Sequence, residues 1–198
     1  MLNVYLLRHG QTAWNADNNR YCGRTDIPLT AKGIQQAETV REQLKGIEFD
    51  GVYSSPLERA FMTANIASGA YVKKDDRLIE ADFGEWEHKT KEEFIAEAPE
   101  HWRRWMEDPY AHRAGGSGEN GREIVERVDA FFTDAHRKHP TGNILVAAHN
   151  GVNRLFLAYK LGMPLRNYRM LVQENASVTM FTLDAGGGFT LQHLNAKF

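Results

Sequence analysis

Arg8-His9-Gly10 follows directly on the short apolar run Val4-Tyr5-Leu6-Leu7. That run has the length and composition of a buried strand. An imidazole and a guanidinium therefore stand at the strand's carboxyl end, the edge at which open α/β sheets bind ligands. Imidazole can act as a nucleophile, and guanidinium matches the geometry of a phosphate. Arg59 lies three residues after Pro56, in the expected first turn of a helix, where free N–H groups favour an anion. His149 comes just after a further strand-like run, Asn143-Ile144-Leu145-Val146, and precedes Asn150-Gly151 at a strand-to-helix junction.

The elements that must hold these groups can be read from the pattern. Strands are expected at Val4–Leu7, Gly51–Tyr53, Ala70–Val72, Asn143–Val146, 178–183 and 189–194, the last two joined by the turn Asp184–Gly188. A helix should begin near Thr30, which can cap it, with Ile34, Ala37, Val40 and Leu44 on one apolar face. A second should open at Pro56 and run to about Ala67. A long helix should span about Gly121 to His139, with His136 and Lys138 in its last turn, where positive charge suits the dipole. A last one should run from Val152 to about Leu161. Strands alternating with helices imply a three-layer α/β/α fold around a mostly parallel sheet. Residues 85–121 break the alternation with a helical patch carrying Trp102, Trp105 and Met106 and a Gly-rich loop, Gly115–Gly118. They read as a small helical insertion over the sheet edge.

The chain has 198 residues, 42% hydrophobic and 25% charged, with a net charge of -2. These values fit one ordinary globular domain spanning 1–198. The weak negative balance argues against a nucleic-acid partner. No apolar run approaches the roughly 18 residues of a membrane span. The apolar N-terminal run leads straight into Arg8-His9, so no cleaved leader is expected. The single Cys22 rules out an intrachain disulfide and fits a reducing, cytoplasmic location. Oligomeric state is open, a homodimer included, because no apolar seam can be assigned.

Four segments in order, Leu6–Thr12, Ser54–Ala60, Leu78–Glu87 and Ala147–Gly151, resemble the motifs of the histidine phosphatase superfamily, also called phosphoglycerate-mutase-like. The resemblance covers nearly the whole chain. Within the family, Tyr21–Thr30 looks most like the α-ribazole-phosphate and broad-specificity phosphatases. The resemblance implies a phosphomonoesterase that needs no metal or other cofactor and acts on a small phosphorylated metabolite. His9 would be phosphorylated and then released by water. Arg8, Arg59 and His149 would hold the phosphoryl oxygens, and Glu80 would be the general acid, with Glu85 and Glu87 as alternatives. Asn15 and Thr12 match positions that bond phosphate, though Thr12 could equally cap a turn. Gly23 and Arg24 match a substrate loop. Residues 85–121 would be the substrate-shaping cap, where Arg103 stands among aromatics and cations. The family writes Gly where this chain has Asn150 and His88. Asn150 could strain the backbone or remove a close approach, and His88 could point into the pocket.

Other chemistries lack their motifs. There is no Gly-x-x-x-x-Gly-Lys run, no His-Glu-x-x-His, and no Arg six residues after Cys22. His136 and His139 could share a metal, but a charged helix end explains them better. The alternatives to a phosphatase are a phosphoglycerate mutase and a non-catalytic module that binds a phosphorylated ligand.

Overall fold

The computed structural model describes residues 1–196. In chain order its first elements are β1 (Leu2–Arg8), the short α1 (Ala13–Ala16), α2 (Ala31–Gln43), β2 (Gly51–Ser54), α3 (Glu58–Ser68) and β3 (Lys73–Lys74). There follow α4 (Lys91–Glu97), α5 (Pro99–Glu107), α6 (Gly121–Lys138), β4 (Gly142–Ala148), α7 (Asn150–Lys160), β5 (Val178–Leu183) and β6 (Phe189–Ala196). The six strands form one sheet in the order β3-β2-β4-β1-β5-β6. The first four are mutually parallel, β5 runs antiparallel to β1, and β6 runs antiparallel to β5.

The alternation along β1 and β4 explains the three layers. Leu2, Val4 and Leu6 with Ile144 and Val146 join Val125, Phe132, Leu155 and Phe156 of α6 and α7 in one core. Tyr5, Leu7, Leu145 and Ala147 join Val40 of α2 and Ala64 of α3 in a second core on the opposite face. Strands buried on both faces must be apolar throughout, as these are. The chain leaves β1 toward α2 on one face and leaves β4 toward α7 on the other. Adjacent strands whose chains diverge in this way open a crevice at their carboxyl ends. The His9 N–H still donates to the Ala148 carbonyl at 3.1 Å. The residues after the two strands, His9 and His149, are thereby brought side by side.

Several local expectations need correction. The edge strand pairs through Lys73 and Lys74 rather than 70–72. Val72 turns into the core while Tyr71 is 88% exposed, and lysines on an edge strand discourage pairing with other chains. Ile34 is exposed, so the apolar face of α2 rests on Ala37, Val40 and Leu44. Pro56 precedes α3, whose cap is Leu57. Helix α7 begins at Asn150, two residues earlier than the pattern implies. Helix α1 was not anticipated; its capping box pairs Thr12 with Asn15.

Candidate active site

The crevice at the β1–β4 switch point is a cavity of about 420 Å³ with Arg8, His9, Arg59, Glu80 and Gly151 on its walls. The His9 ring is held by its Nδ1, 2.7 Å from the Gly10 carbonyl. That contact requires a proton on Nδ1, so Nε2 carries the lone pair. Burial, then Arg59 and Arg8, hold the imidazole well below the usual histidine range, so it is neutral. Its ring centroid lies 5.2 Å from that of His149. His149 is completely buried, and neither of its nitrogens has a hydrogen-bond partner among the described residues. Burial and the Arg59 charge also push its pKa far down.

The loop under His9 is built for close approach. The Gly10 N–H donates to Thr63 Oγ1 at 2.9 Å, and a Cβ at Gly10 would stand 2.5 Å from the Gly33 carbonyl oxygen. Only glycine lets the loop lie on the start of α2. Asn175 fixes the same loop from the other side, donating to the His9 carbonyl and to Asn15 Oδ1, each at 3.1 Å.

The two inner cations are held by carbonyls. Arg8 Nη1 donates to the Gln173 carbonyl at 2.6 Å. Arg59 donates to the Thr25 carbonyl at 2.8 Å and the Gly23 carbonyl at 2.7 Å. Burial lowers both, Arg8 to about 10, which leaves them charged near neutral pH.

Glu80 is buried, and its two oxygens accept three backbone N–H groups. Ala81 and Val152 donate to Oε1 at 2.9 and 3.0 Å, and Gly151 donates to Oε2 at 3.1 Å. The open end of α7 is thus taken up by this carboxylate. At α3, similarly, the Glu58 N–H is bonded by Asp26 at 2.8 Å, so that N–H does not face an incoming anion. Arg127 fixes the acidic loop from behind. It donates to the carbonyls of Arg77 and Ile79 and grips Glu119 with Nε and Nη2.

The remaining sequence candidates are placed as follows. Asn15 lines the cavity, but its Oδ1 is taken by Thr12 and Asn175. Thr12 is fully buried and its hydroxyl caps α1. Gly23 lines the cavity and supplies a carbonyl to Arg59. Arg24 is not among the residues that line the cavity; it pairs with Glu119 at 3.1 Å. Arg103 is likewise exposed and paired with Glu107 one turn on. His88 does not line the cavity; its edge meets Trp14, and its φ is +68°. That left-handed backbone suits glycine. Asn150 lines the cavity as the first residue of α7, so no left-handed strain arises there. The close approach belongs to Gly151, where a Cβ would lie 2.7 Å from Glu80 Oε1. Glu85 is exposed, and Glu87 bonds Thr25 and the Arg24 N–H.

Sequence reasoning missed Tyr21, Arg154, Tyr168 and Arg169, which line the outer cavity. Arg154 stands four residues after Asn150 on α7, the spacing of one helix face, and that was the available signal. Among the described residues no helix is long and apolar enough to cross a membrane. No group of three or more His, Cys, Asp or Glu that could hold a metal ion occurs among them either.

The model of the histidine phosphatase superfamily (branch 1) matches residues 4–197. Phosphoserine phosphatase 1 of Hydrogenobacter thermophilus is 32% identical over 187 residues, covering 93% of this chain and 88% of the relative. The adenosylcobalamin/α-ribazole phosphatase of Escherichia coli is 35% identical over 166 residues, covering 82% and 81%. Among solved structures, a phosphoserine phosphatase mutant of Entamoeba histolytica in complex with phosphoserine superposes with a TM-score of 0.90 at 29% identity, covering 100% of this chain and 98% of that one.

Proposed function

The chain belongs to the histidine phosphatase superfamily, branch 1, and is a phosphatase; we propose that it hydrolyses a small phosphorylated metabolite through a phosphohistidine on His9. The observation that carries this is the anchored neutral ring of His9, with its Nε2 free beside two guanidinium groups that no carboxylate pairs with among the described residues.

The steps we assign are these. The His9 Nε2 lone pair attacks phosphorus as the bond to the leaving oxygen breaks. Arg8 and Arg59 stabilise the equatorial oxygens, and His149 donates one N–H to the same group. Glu80 gives its proton to the departing alkoxide. Water then attacks the phosphohistidine, and Glu80 takes the water's proton back. Free enzyme, alcohol and inorganic phosphate result, with every proton returned. Residues 85–121 form a cap within one domain in this reading. The single Cys22 supports a cytoplasmic setting.

His9→Ala should lower kcat by at least about a thousandfold, because the covalent route is lost. Quenching the unaltered enzyme in alkaline denaturant during turnover should leave phosphate on His9 that survives base and is released by acid. Near-normal turnover by His9→Ala would refute the scheme. Following 3- to 2-phosphoglycerate conversion in the same preparation separates a mutase from a phosphatase.

A further inference from the structure

Four side chains on the cavity wall, Lys91, Arg154, Tyr168 and Arg169, form with Trp102 behind them a continuous cation–aromatic ladder. The Lys91 ammonium lies 5.2 Å from the Trp102 ring centre, and the Arg169 guanidinium lies 4.6 Å from the same ring. Arg169 is also 5.1 Å from the Tyr168 ring, which Arg154 approaches at 5.3 Å. The ladder is pinned at several points. Tyr168 accepts the Trp105 indole N–H at 3.2 Å, and Arg169 donates to the Tyr21 hydroxyl at 2.9 Å. Arg154 uses Nε on the Tyr168 carbonyl at 3.3 Å. Lys91, Arg154 and Arg169 all line the cavity that holds His9 and Arg59.

Three cations on one wall need a reason. The side chains that favour the Arg169 charge are the hydroxyl-bearing Tyr168 and Tyr21 rather than a carboxylate. Those acting on Arg154 include one carboxylate, Glu80, whose oxygens already accept three N–H groups. Stacking on aromatic faces orients a guanidinium without neutralising it, as a carboxylate would. The Arg169 Nε is buried with no hydrogen-bond partner among the described residues. Such a wall holds positive charge beyond what Arg8 and Arg59 supply to the phosphoryl position, with Arg154, which acts on Arg8 and Glu80, as its nearest member.

We propose that the Arg154–Tyr168–Arg169 wall binds a second anionic group, carboxylate or phosphate, at the far end of the substrate from the scissile phosphate. This deepens the proposed reaction and rests on it for which end is cleaved. The substrate class is then a doubly anionic phosphomonoester, in contrast to the phosphate of a neutral alcohol or nucleoside.

The test measures binding, so it stays readable whether or not turnover is found. Propylphosphonate carries one anionic end. The ω-phosphonocarboxylates from 3-phosphonopropionate to 6-phosphonohexanoate carry two, at increasing separation. The alkane bisphosphonates of the same lengths replace the carboxylate by phosphonate. Calorimetry at low salt should show one member of the dianionic series binding at least about tenfold more tightly than propylphosphonate. Whichever series wins identifies the second group. Arg169→Gln and Arg154→Gln should each bring that ratio toward one, and Arg169→Lys should restore part of it. A ratio near one at every length in the unaltered protein overturns the proposal. So does a ratio that survives both glutamine variants. If the ratio behaves as expected while p-nitrophenyl phosphate is not hydrolysed, the wall stands and the reaction scheme fails.

Discussion

The neutrality of His9 and His149 has a thermodynamic consequence that can be measured without a substrate. In the unfolded chain each imidazole titrates near its ordinary value of about 6.5. In the folded protein burial and the Arg59 charge hold both well below it. When the folded value is the lower one, the unfolded state takes up protons first as pH falls. The stabilising contribution is therefore complete above about pH 6.5 and is lost below it. At pH 5.5 each histidine costs about 1.4 kcal/mol, since one pH unit corresponds to that energy. Together they cost about 3 kcal/mol, or roughly 6–12 °C in Tm for a domain of this size. Thermal melts at pH 7.5 and 5.5, in buffers free of phosphate and sulfate, would give the drop. Other groups contribute to it as well, so the informative quantity is its change in variants. His9→Gln and His149→Gln should each reduce the drop by about 1.4 kcal/mol, whatever they do to Tm at pH 7.5. If both variants lose as much stability as the parent between the two pH values, the folded imidazoles accept protons freely. The neutral nucleophile would then have no physical basis here.

Three further outcomes test the rest of the site. Glu80→Gln keeps a hydrogen-bonding side chain but cannot deliver a proton readily, so hydrolysis of alkyl phosphates should fall about a hundredfold or more while p-nitrophenyl phosphate, with its good leaving group, loses much less; equal losses would leave Glu80 a purely positioning role. Gly151→Ala places a methyl 2.7 Å from Glu80 Oε1, and kcat on alkyl phosphates should fall at least about tenfold with the fold retained by circular dichroism; unaltered kinetics would mean that the N–H cradle does not hold Glu80 in its working position. Activity should withstand EDTA because Arg8, Arg59 and His149 are proposed to carry the charge stabilisation; a strict requirement for a divalent ion, seen as recovery only on its return, would transfer that role to a metal.

The sequence made the inner site legible because its groups are tied to strand ends. Arg8-His9 and His149 each follow an apolar run, and a parallel sheet brings such ends to one edge. The layers were legible for the same reason, since helices must cover both faces of apolar strands. What stayed hidden depends on neighbours far along the chain. Arg24 pairs with Glu119, a partner far along the chain that no local spacing reveals. Arg169 enters the cavity because the 3-10 turn Leu165–Met170 packs through Tyr168 and Arg169 on Trp105 and Trp102, and Arg154 packs in turn on Tyr168. The departure at Asn150 looked like a threat to the backbone. The constraint belongs to Gly151, and only the position of Glu80 reveals it. Lys73 and Lys74 hid an edge strand because charged residues there serve against aggregation rather than packing.

The way the inner arginines are satisfied separates a phosphate site from a structural ion pair. A buried guanidinium needs hydrogen-bond partners, and a carboxylate is the strongest available. Arg127 follows that pattern, with Glu119 on both sides of its fork. Arg8 and Arg59 do not; each is fixed by carbonyl oxygens of Gln173, Thr25 and Gly23. Carbonyls orient the guanidinium while leaving its net charge in place. That arrangement is less favourable for the empty fold than a carboxylate pair would be, because desolvation of the charge is only partly offset. Burial first, and then this uncancelled charge, keeps His9 and His149 neutral. The charge that burdens the fold thus also contributes to the readiness of the nucleophile. An anion between the two arginines offsets that charge, and it meets the free Nε2 of His9 when it arrives.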